Sequence, residues 1–359
     1  MNPLRIATLL AVAAACLAVA APAGADSIAY IKGGDVWLAS PDGKRKVRVT
    51  RTGDLSYVSQ ADNGTMIALA PNERLRKLSR TGKVLAEFPT YVTDGAPKSG
   101  ATDEFHGPFG PEISPNGKLV AFEWYNETYS DSNTPTCNSQ AVDPCYELTS
   151  RQGVGITRSD RFTPYEEYGL LTGWIYPQWL TNDMLVRSDA GAILNEDVVF
   201  NRVAPGLGDD ELDRWFWDEW QGLGLIDAEL THDHRAAAAI AGASDEKLRV
   251  YRPLVEPFGA PDPNLAPFAK NEPIVEPCFE LGDPVGGKFE SLSFSPDGKR
   301  LAYGVGDGIW VVSIPDFSGG CVAPDASTNV KVIPGGRFPH WGPADLPKPK
   351  KRGKHRPRG

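Results

Sequence analysis

The chain has 359 residues, with 37 Lys and Arg against 46 Asp and Glu, and 41% of its residues are hydrophobic. Its 37 glycines and 31 prolines exceed average usage and exclude a helical bundle, while nine Trp, eleven Tyr and fourteen Phe exclude a chain disordered throughout. The acidic balance excludes a nucleic-acid binder, because phosphate contacts need a basic face.

In chain order, the first segment, Met1 to Ala25, reads as an export signal. Arg5 precedes an apolar run from Ile6 to about Ala21, and Ala23-Gly24-Ala25 supplies a small-residue cleavage site. The run is short of the roughly 20 residues that cross a bilayer. Cys16 lies inside it behind three alanines, without the leucine of a lipidation site. No later segment approaches transmembrane length, so a secreted or periplasmic, soluble and monomeric protein is expected.

The body then repeats itself. Ser27 to Lys44 reads strand, turn, strand and ends on Ser-Pro-Asp-Gly-Lys. Gln60 to Ala70 places an Asn-Gly turn before an apolar strand. Ile113 to Trp124 (ISPNGKLVAFEW) and Phe294 to Ile314 (FSPDGKRLAYGVGDGIWVVSI) are the clearest copies. Pro177 to Ser188 and Ala228 to Ala241 are weaker ones, and Pro339 to Leu346 holds a Pro-x-Trp start with no strand behind it. Asn-Gly and Asp-Gly provide the positive φ that tight hairpins require, and the flanking period-two alternation marks antiparallel strands. Turns at Asn63, Asn116, Asn182, His232, Asp297 and Ala344 count six units. The N-terminus lacks the first strand of a unit and the C-terminus supplies one, so an all-β, six-bladed β-propeller over residues 26–347, closed by pairing of N- and C-terminal strands, is expected.

Two intervals are longer than a four-stranded blade of about 40–50 residues. Glu127 to Asp160 and the Pro-rich stretch Pro253 to Pro284 are expected as insertions on a loop face. Four cysteines outside the signal, Cys137, Cys145, Cys278 and Cys321, are expected as structural disulfides in an oxidising compartment. Of three pairings, loop closure favours Cys137–Cys145 and then Cys278–Cys321.

Three features could carry function. The run from Gly208 to Trp220 packs Asp213 and Asp218 among Trp215, Trp217 and Trp220. It reads either as an aromatic contact surface for a partner or as a short amphipathic helix with its Trp packed inward. His232 and His234, with Asp233, Asp227 and Glu229 nearby, carry groups that suit a divalent metal, or else are polar residues of a hairpin turn; His106 and His340 are the other histidines available to complete such a site. Residues 348–359 hold seven Lys and Arg and no acid, a disordered basic tail that could touch anionic polymer or simply be solvated. Without that tail and Arg5, residues 26–347 carry a net charge of −17. No G-x-S-x-G elbow is present, so a serine-hydrolase mechanism is not expected.

Ser295-Pro296-Asp297-Gly298-Lys299, Ser114-Pro115-Asn116-Gly117-Lys118 and the strand starts Asp35-Val36-Trp37 and Gly308-Ile309-Trp310 resemble the WD40-like (PD40) propeller repeats of the TolB family. That resemblance implies a propeller, and implies exported scaffolds for protein partners, peptidase-regulating propellers or, less often, carbohydrate-active enzymes. The N-terminal α/β domain of TolB has no counterpart here. The function expected is an exported, non-enzymatic binding scaffold for a protein or cell-envelope component, without cofactor. The alternative is a carbohydrate-active hydrolase or lyase with a metal near His232 and His234.

Overall fold

The structure is a computed structural model that describes residues 26–90, 102–131, 146–163, 168, 170–172, 174–189, 197–205, 211–217, 225–241, 247–254, 275–282, 287–306 and 308–348. The first sheet takes β1 (Ser27–Lys32), β2 (Asp35–Ala39) and β3 (Lys46–Arg48). The second is β4 (Tyr57–Gln60), β5 (Met66–Ala70), β6 (Arg74–Leu78) and β7 (Val84–Pro89). The third is β8 (Thr102–Ile113), β9 (Leu119–Asp131), β10 (Tyr146–Arg158) and β11 (Leu170–Thr172). The fourth is β12 (Trp174–Thr181), β13 (Met184–Asp189), β14 (Asp197–Arg202) and β15 (Glu211–Trp217). The fifth is β16 (Leu225–Leu230), β17 (Ala237–Ala241), β18 (Lys247–Pro253) and β19 (Val275–Leu281). The sixth is β20 (Phe289–Phe294), β21 (Arg300–Val305), β22 (Gly308–Ser313) and β23 (Val330–Pro334). The final strand, β24 (Arg337–Gly342), joins the first sheet, whose order is β24-β1-β2-β3.

Each sheet is an antiparallel meander of four strands. The first strand of each, in the order β24, β4, β8, β12, β16, β20, touches the next, and β20 touches β24 again. The sheets therefore stand as blades around a central channel, the architecture of a β-propeller. Apolar side chains fill the space between neighbouring blades. Leu38, Val58, Met66 and Leu78 join the first two; Ile240, Leu248, Leu292 and Tyr303 join the fifth and sixth; Tyr30, Ile309, Ile333 and Trp341 join the sixth and first. Each large side chain so buried contributes about 1.5–3 kcal/mol. Strand β17 is Ala-rich and buried along its whole length. Alanine is a poor strand former, and here the close spacing of blades selects small side chains over propensity.

The repeated turn has a common chemistry. In Ser114-Pro115-Asn116-Gly117-Lys118, Ser114 Oγ accepts from Leu119 N at 3.0 Å and Asn116 Oδ1 accepts from Lys118 N at 3.0 Å. Ser295 and Asp297 make the same pair of bonds to Arg300 N (3.0 Å) and Lys299 N (3.2 Å). Ser40 and Asp42 do so with Arg45 N and Lys44 N, although that copy links β2 to β3 rather than a first strand to a second. Gly43 has φ +66° there, and a Cβ on it would lie 2.1 Å from the Val332 carbonyl oxygen of the sixth blade. Glycine is required both for φ and for that close approach.

Several expectations need correction. Residues 211–217 form strand β15, paired with β14 from Asp197↔Trp217 to Asn201↔Glu211, so the amphipathic-helix alternative does not describe them. The interval after Glu127 is not simply a loop. Strands β9 and β10 continue through it and pair as far as Asp131↔Tyr146. Likewise Cys278 lies within β19, not on a loop. In each case backbone pairing with a neighbouring strand outweighs the local turn-rich composition. The junction of the chain ends also differs from a plain strand zipper. The β1–β24 ladder pairs Ser27↔Gly342, Ile28↔Trp341 and Ala29↔His340, then shifts register before Ile31↔Arg337. Side chains share the junction: Ser27 Oγ donates to Ala344 O at 2.8 Å, Trp341 Nε1 donates to Asp26 at 3.1 Å, and the Arg300 guanidinium lies 4.6 Å from the Trp341 ring.

Candidate functional site: the central channel

Five of the six inner strands break register at one level. The shifts fall between Phe109 and Glu112, Ile175 and Gln178, Ile226 and Glu229, Phe289 and Ser291, and across Phe338-Pro339 opposite Ala29 and Ile31. In four of them the bulge holds a residue of positive φ: Gly110 (45°), Tyr176 (53°), Asp227 (52°) and Phe338 (51°). For the three that are not glycine this conformation costs of order 1–3 kcal/mol each. Such strain persists only where surrounding structure enforces it, and it clusters here around one opening.

Below the bulges, side chains tie each blade to the next. Gln60 Nε2 donates to Ser27 O (2.7 Å) and His340 O (2.8 Å), and Ser59 Oγ donates to Pro111 O (2.8 Å). Trp179 Nε1 donates to Glu112 O at 2.9 Å. Gln178 Nε2 donates to Asp227 Oδ1 at 2.9 Å, while Asp227 Oδ2 accepts from Leu292 N at 2.8 Å. Glu229 Oε2 accepts from Phe294 N at 2.6 Å, and Ser293 Oγ accepts from Trp341 N at 3.0 Å. Every pair of neighbouring blades is thus joined at the channel wall.

Acids dominate that wall. Tyr57 Oη donates to Glu112 Oε1 at 2.7 Å, and His340 Nε2 lies 3.1 Å from Glu112 Oε2. Burial, reinforced by the charge of Asp227, pushes the Glu123 carboxyl up to about 8 against a backbone hydrogen bond from Tyr176. Burial lifts Asp227 to about 7 in spite of the bonds from Leu292 and Gln178. Burial and then Asp227 raise Glu229 well above the carboxylate range. Glu123 and Asp227 thus change protonation near neutral pH, the range in which carboxyls serve acid–base work.

The channel is a funnel. Its wide end is a cavity of about 750 Å3 reached by all six blades, with Tyr57, Phe109, Tyr176, Phe289 and Phe338 on its wall and Glu112, Glu123, Gln178, Asp227 and Ser291 deeper in. Phe109 is 47% exposed at the rim, and the rings of Tyr57 and Phe338 are 5.2 Å apart. The two cations there are engaged: Arg337 pairs with Glu290 at 2.7 Å, and Lys32 Nζ donates to Pro334 O at 2.7 Å. The narrow end, about 80 Å3, is lined by Glu112, Gln178, Glu229, His232, Ser293 and His340 among others. Each inner strand enters at the wide end and leaves at the narrow one, where the Ser-Pro-Asp-Gly turns lie.

Of the residues singled out from sequence, Asp227, Glu229, His232 and His340 line the channel and the rest fall elsewhere. His232 is exposed in the β16–β17 turn, at the mouth of the narrow end, and His234 sits in the same turn at φ +57°. Among the described residues no group of three His, Cys, Asp or Glu is placed to hold a metal ion. Asp213, Trp215 and Trp217 lie on β15, the outermost strand of its blade and far in order from the channel strand β12. Asp218, Trp220, Cys137, Cys145 and the segment 1–25 lie outside the described residues, as do residues 349–359. Cys278 and Cys321 are bonded to each other. No helix among the described residues is long and apolar enough to cross a membrane.

The sequence brings out Asp227 and Glu229 only as neighbours of His232 and His234 and passes over Glu112 and Glu123, although a signal for the inner strands exists. Pro111-Glu112-Ile113, Pro177-Gln178-Trp179, Ala228-Glu229-Leu230 and Pro339-His340-Trp341 repeat a small residue, a hydrogen-bonding one and an apolar one just before the turn. The middle residue of each reaches the channel. Glu123 and Tyr57 carry no comparable mark.

No protein-family model and no curated protein matches the chain. Among solved structures it is similar to TolB from Acinetobacter baumannii, at 14% identity over 89% of this chain and 66% of that one, with a TM-score of 0.43. It thus spans just under two thirds of that protein's length. It is also similar to the periplasmic gluconolactonase of Pseudomonas aeruginosa (12% identity, 90% of this chain and 99% of that one, TM-score 0.48). A putative 6-phosphogluconolactonase from Bacteroides fragilis gives 10% identity, 89% and 98% coverage and a TM-score of 0.46. Likenesses this distant assign neither family nor activity, and the β-propeller assignment rests on this chain's own six sheets.

Proposed function

We propose that this chain is an exported binding scaffold whose recognition site is the wide end of its central channel, and whose partner is a protein or a component of the cell envelope. One observation carries the reading. A single 750 Å3 cavity collects side chains from every blade, with aromatic rings at its wall and acids at its floor, the mixture of apolar walls and few polar groups typical of ligand sites. The strained residues Tyr176, Asp227 and Phe338 all line it. The Cys278–Cys321 bond supports an oxidising compartment, consistent with removal of residues 1–25 on export. In the same reading residues 26–347 are the folded unit, and β15 with Asp213, Trp215 and Trp217 is a second, outer contact strip.

The test is selection of random displayed peptides on the immobilised protein, followed by measurement of their affinity for variants. Phe338→Ala is expected to weaken the selected peptides at least tenfold, while His232→Ala at the narrow end leaves them unchanged. Peptides indifferent to wide-end substitutions would end the proposal. The alternative, chemistry on a carbohydrate, draws support from the Asp227 and Glu123 carboxyls, whose values near 7 and 8 suit proton transfer. Release of reducing sugar or of an unsaturated product from a polysaccharide panel, lost in Asp227→Asn, would favour it instead.

A further inference from the structure

The floor of the wide end combines two independent features. The first is uncompensated acid: Glu123 and Asp227 face the cavity, whereas its cations Arg337 and Lys32 are held by Glu290 and by the Pro334 carbonyl. The second is the Ser291 hydroxyl. Ser291 lines the same cavity, is 4% exposed, and its Oγ has no hydrogen-bond partner. A buried hydroxyl left unbonded costs about 1–3 kcal/mol, and such exceptions call for an explanation. Ser291 directly precedes Leu292, whose N–H is bonded to Asp227 Oδ2 at 2.8 Å, so the Ser291 backbone adjoins the acid and both residues line the same cavity.

We propose that Glu123, Asp227 and the Ser291 hydroxyl form a binding site for a primary ammonium group, entering between the aromatic rings of the wide end as a lysine side chain or a free alkylamine. This rests on the reading of the wide end as the recognition site and names the chemistry it takes. An ammonium is compact and carries three donors, enough for two carboxylates and a hydroxyl. Its alkyl stem packs along Tyr57, Phe109, Tyr176, Phe289 and Phe338, as such stems do on apolar surface, and the ring faces favour the charge. A neutral polyol donates hydrogen bonds to the acids but brings no countercharge, and a guanidinium fork finds both Asp227 oxygens already engaged by Gln178 and Leu292.

The site titrates with its ligand. The groups facing Asp227 and Glu123 are Tyr57 on β4, Glu112 on β8, Glu229 on β16, Glu290 on β20, and Arg337 and His340 on β24, with Lys32 on β1 at the rim. Burial, with repulsion from Asp227 on Glu123 and from Glu112 on Asp227, leaves both holding protons near neutral pH. A bound ammonium supplies the missing countercharge and drives those protons off. Affinity therefore rises with pH through 6 to 8.5, where alkylamines, of pKa about 10.4, stay charged.

The experiment is calorimetric titration of the full exported chain with 1,5-diaminopentane and with Nα-acetyl-lysine N-methylamide. Each is run at pH 6, 7 and 8 in two buffers of different ionisation enthalpy. 1-Pentanol, glucose and CaCl2 serve as comparisons. The expected result is saturable binding of at least one amine, roughly tenfold tighter at pH 8 than at pH 6, with protons released. Preference for the lysine derivative points to a protein partner, and preference for the diamine to a free amine; either supports the site. Asp227→Asn and Ser291→Ala are expected to weaken binding at least tenfold and about threefold, and the wild-type proton release tests the idea without any variant. Absence of amine binding at every pH, equal binding of pentanol, binding without proton release, or calcium binding that excludes the amines overturns it. Peptides that bind the wide end while no amine does would remove this proposal and leave the binding-scaffold reading standing.

Discussion

Asp227→Asn changes one atom in the channel wall and separates two roles of that residue. The wild-type carboxyl, 8% exposed, accepts from Gln178 and Leu292, yet burial raises it from 3.8 to about 7. Between those values the native state holds a proton that the unfolded chain has lost. Stability is therefore greatest near pH 4 and declines as pH rises to 7, by at most about 4 kcal/mol from this group, at 1.36 kcal/mol for each unit of pKa. An asparagine amide oriented with its oxygen in the place of Oδ2 still accepts from the Leu292 N–H, and Gln178 can turn its own oxygen to the new amide NH2 in the place of Oδ1. The variant is thus expected to match the wild type near pH 4.5 and to exceed it by about 2–4 kcal/mol at pH 8. Urea titration followed by tryptophan fluorescence, under non-reducing conditions, reads the difference directly. A variant less stable than the wild type at pH 8, or a gap that does not change with pH, would refute the reasoning about the buried acid.

Two further substitutions test the scaffold. Gly43→Ala and Gly33→Ala share a positive φ (66° and 59°), but only at Gly43 would the added Cβ meet a backbone oxygen of the next blade, at 2.1 Å. Denaturant midpoints should show Gly33→Ala costing about 1–2 kcal/mol for its conformation and Gly43→Ala clearly more; equal costs would mean the blades do not approach so closely. The Cys278–Cys321 bond spans a sequence separation of 43 and links β19 of the fifth blade to the segment after β22 of the sixth. Its removal in Cys278→Ser is expected to lower stability by about 2–4 kcal/mol. A midpoint unmoved by the substitution, or by reduction of the wild type, would show that the staple contributes nothing.

Much of the blade pattern is legible because hairpin turns leave a chemical signature. The turn needs a hydroxyl, an Asp or Asn side-chain oxygen and a glycine at set spacings, and those spacings survive in the sequence at Ser114 and Ser295. Even Ala237–Ala241 falls in frame, though its composition argues against a strand. Strand β15 and the extended β9–β10 hairpin are less legible, because acid, glycine and proline mark local preference while the strands arise from pairing with a neighbour. The channel acids were hidden for a different reason. Asp227 and Glu229 stand together on β16, but Glu112 and Glu123 come from the third blade and meet them only when the blades surround a common axis, so no window of sequence shows the whole set. The two histidines between β16 and β17 were conspicuous by adjacency alone, and adjacency in a turn does not aim side chains at one point.

The double attachment of Asp227 has a mechanical consequence. One of its oxygens holds the fourth blade through Gln178 and the other holds the sixth through Leu292, so the same carboxylate is both a strut across three blades and a charge at the cavity floor. Whatever alters its ionisation acts on both attachments at once, which makes the Leu292 amide a built-in gauge of what sits above it.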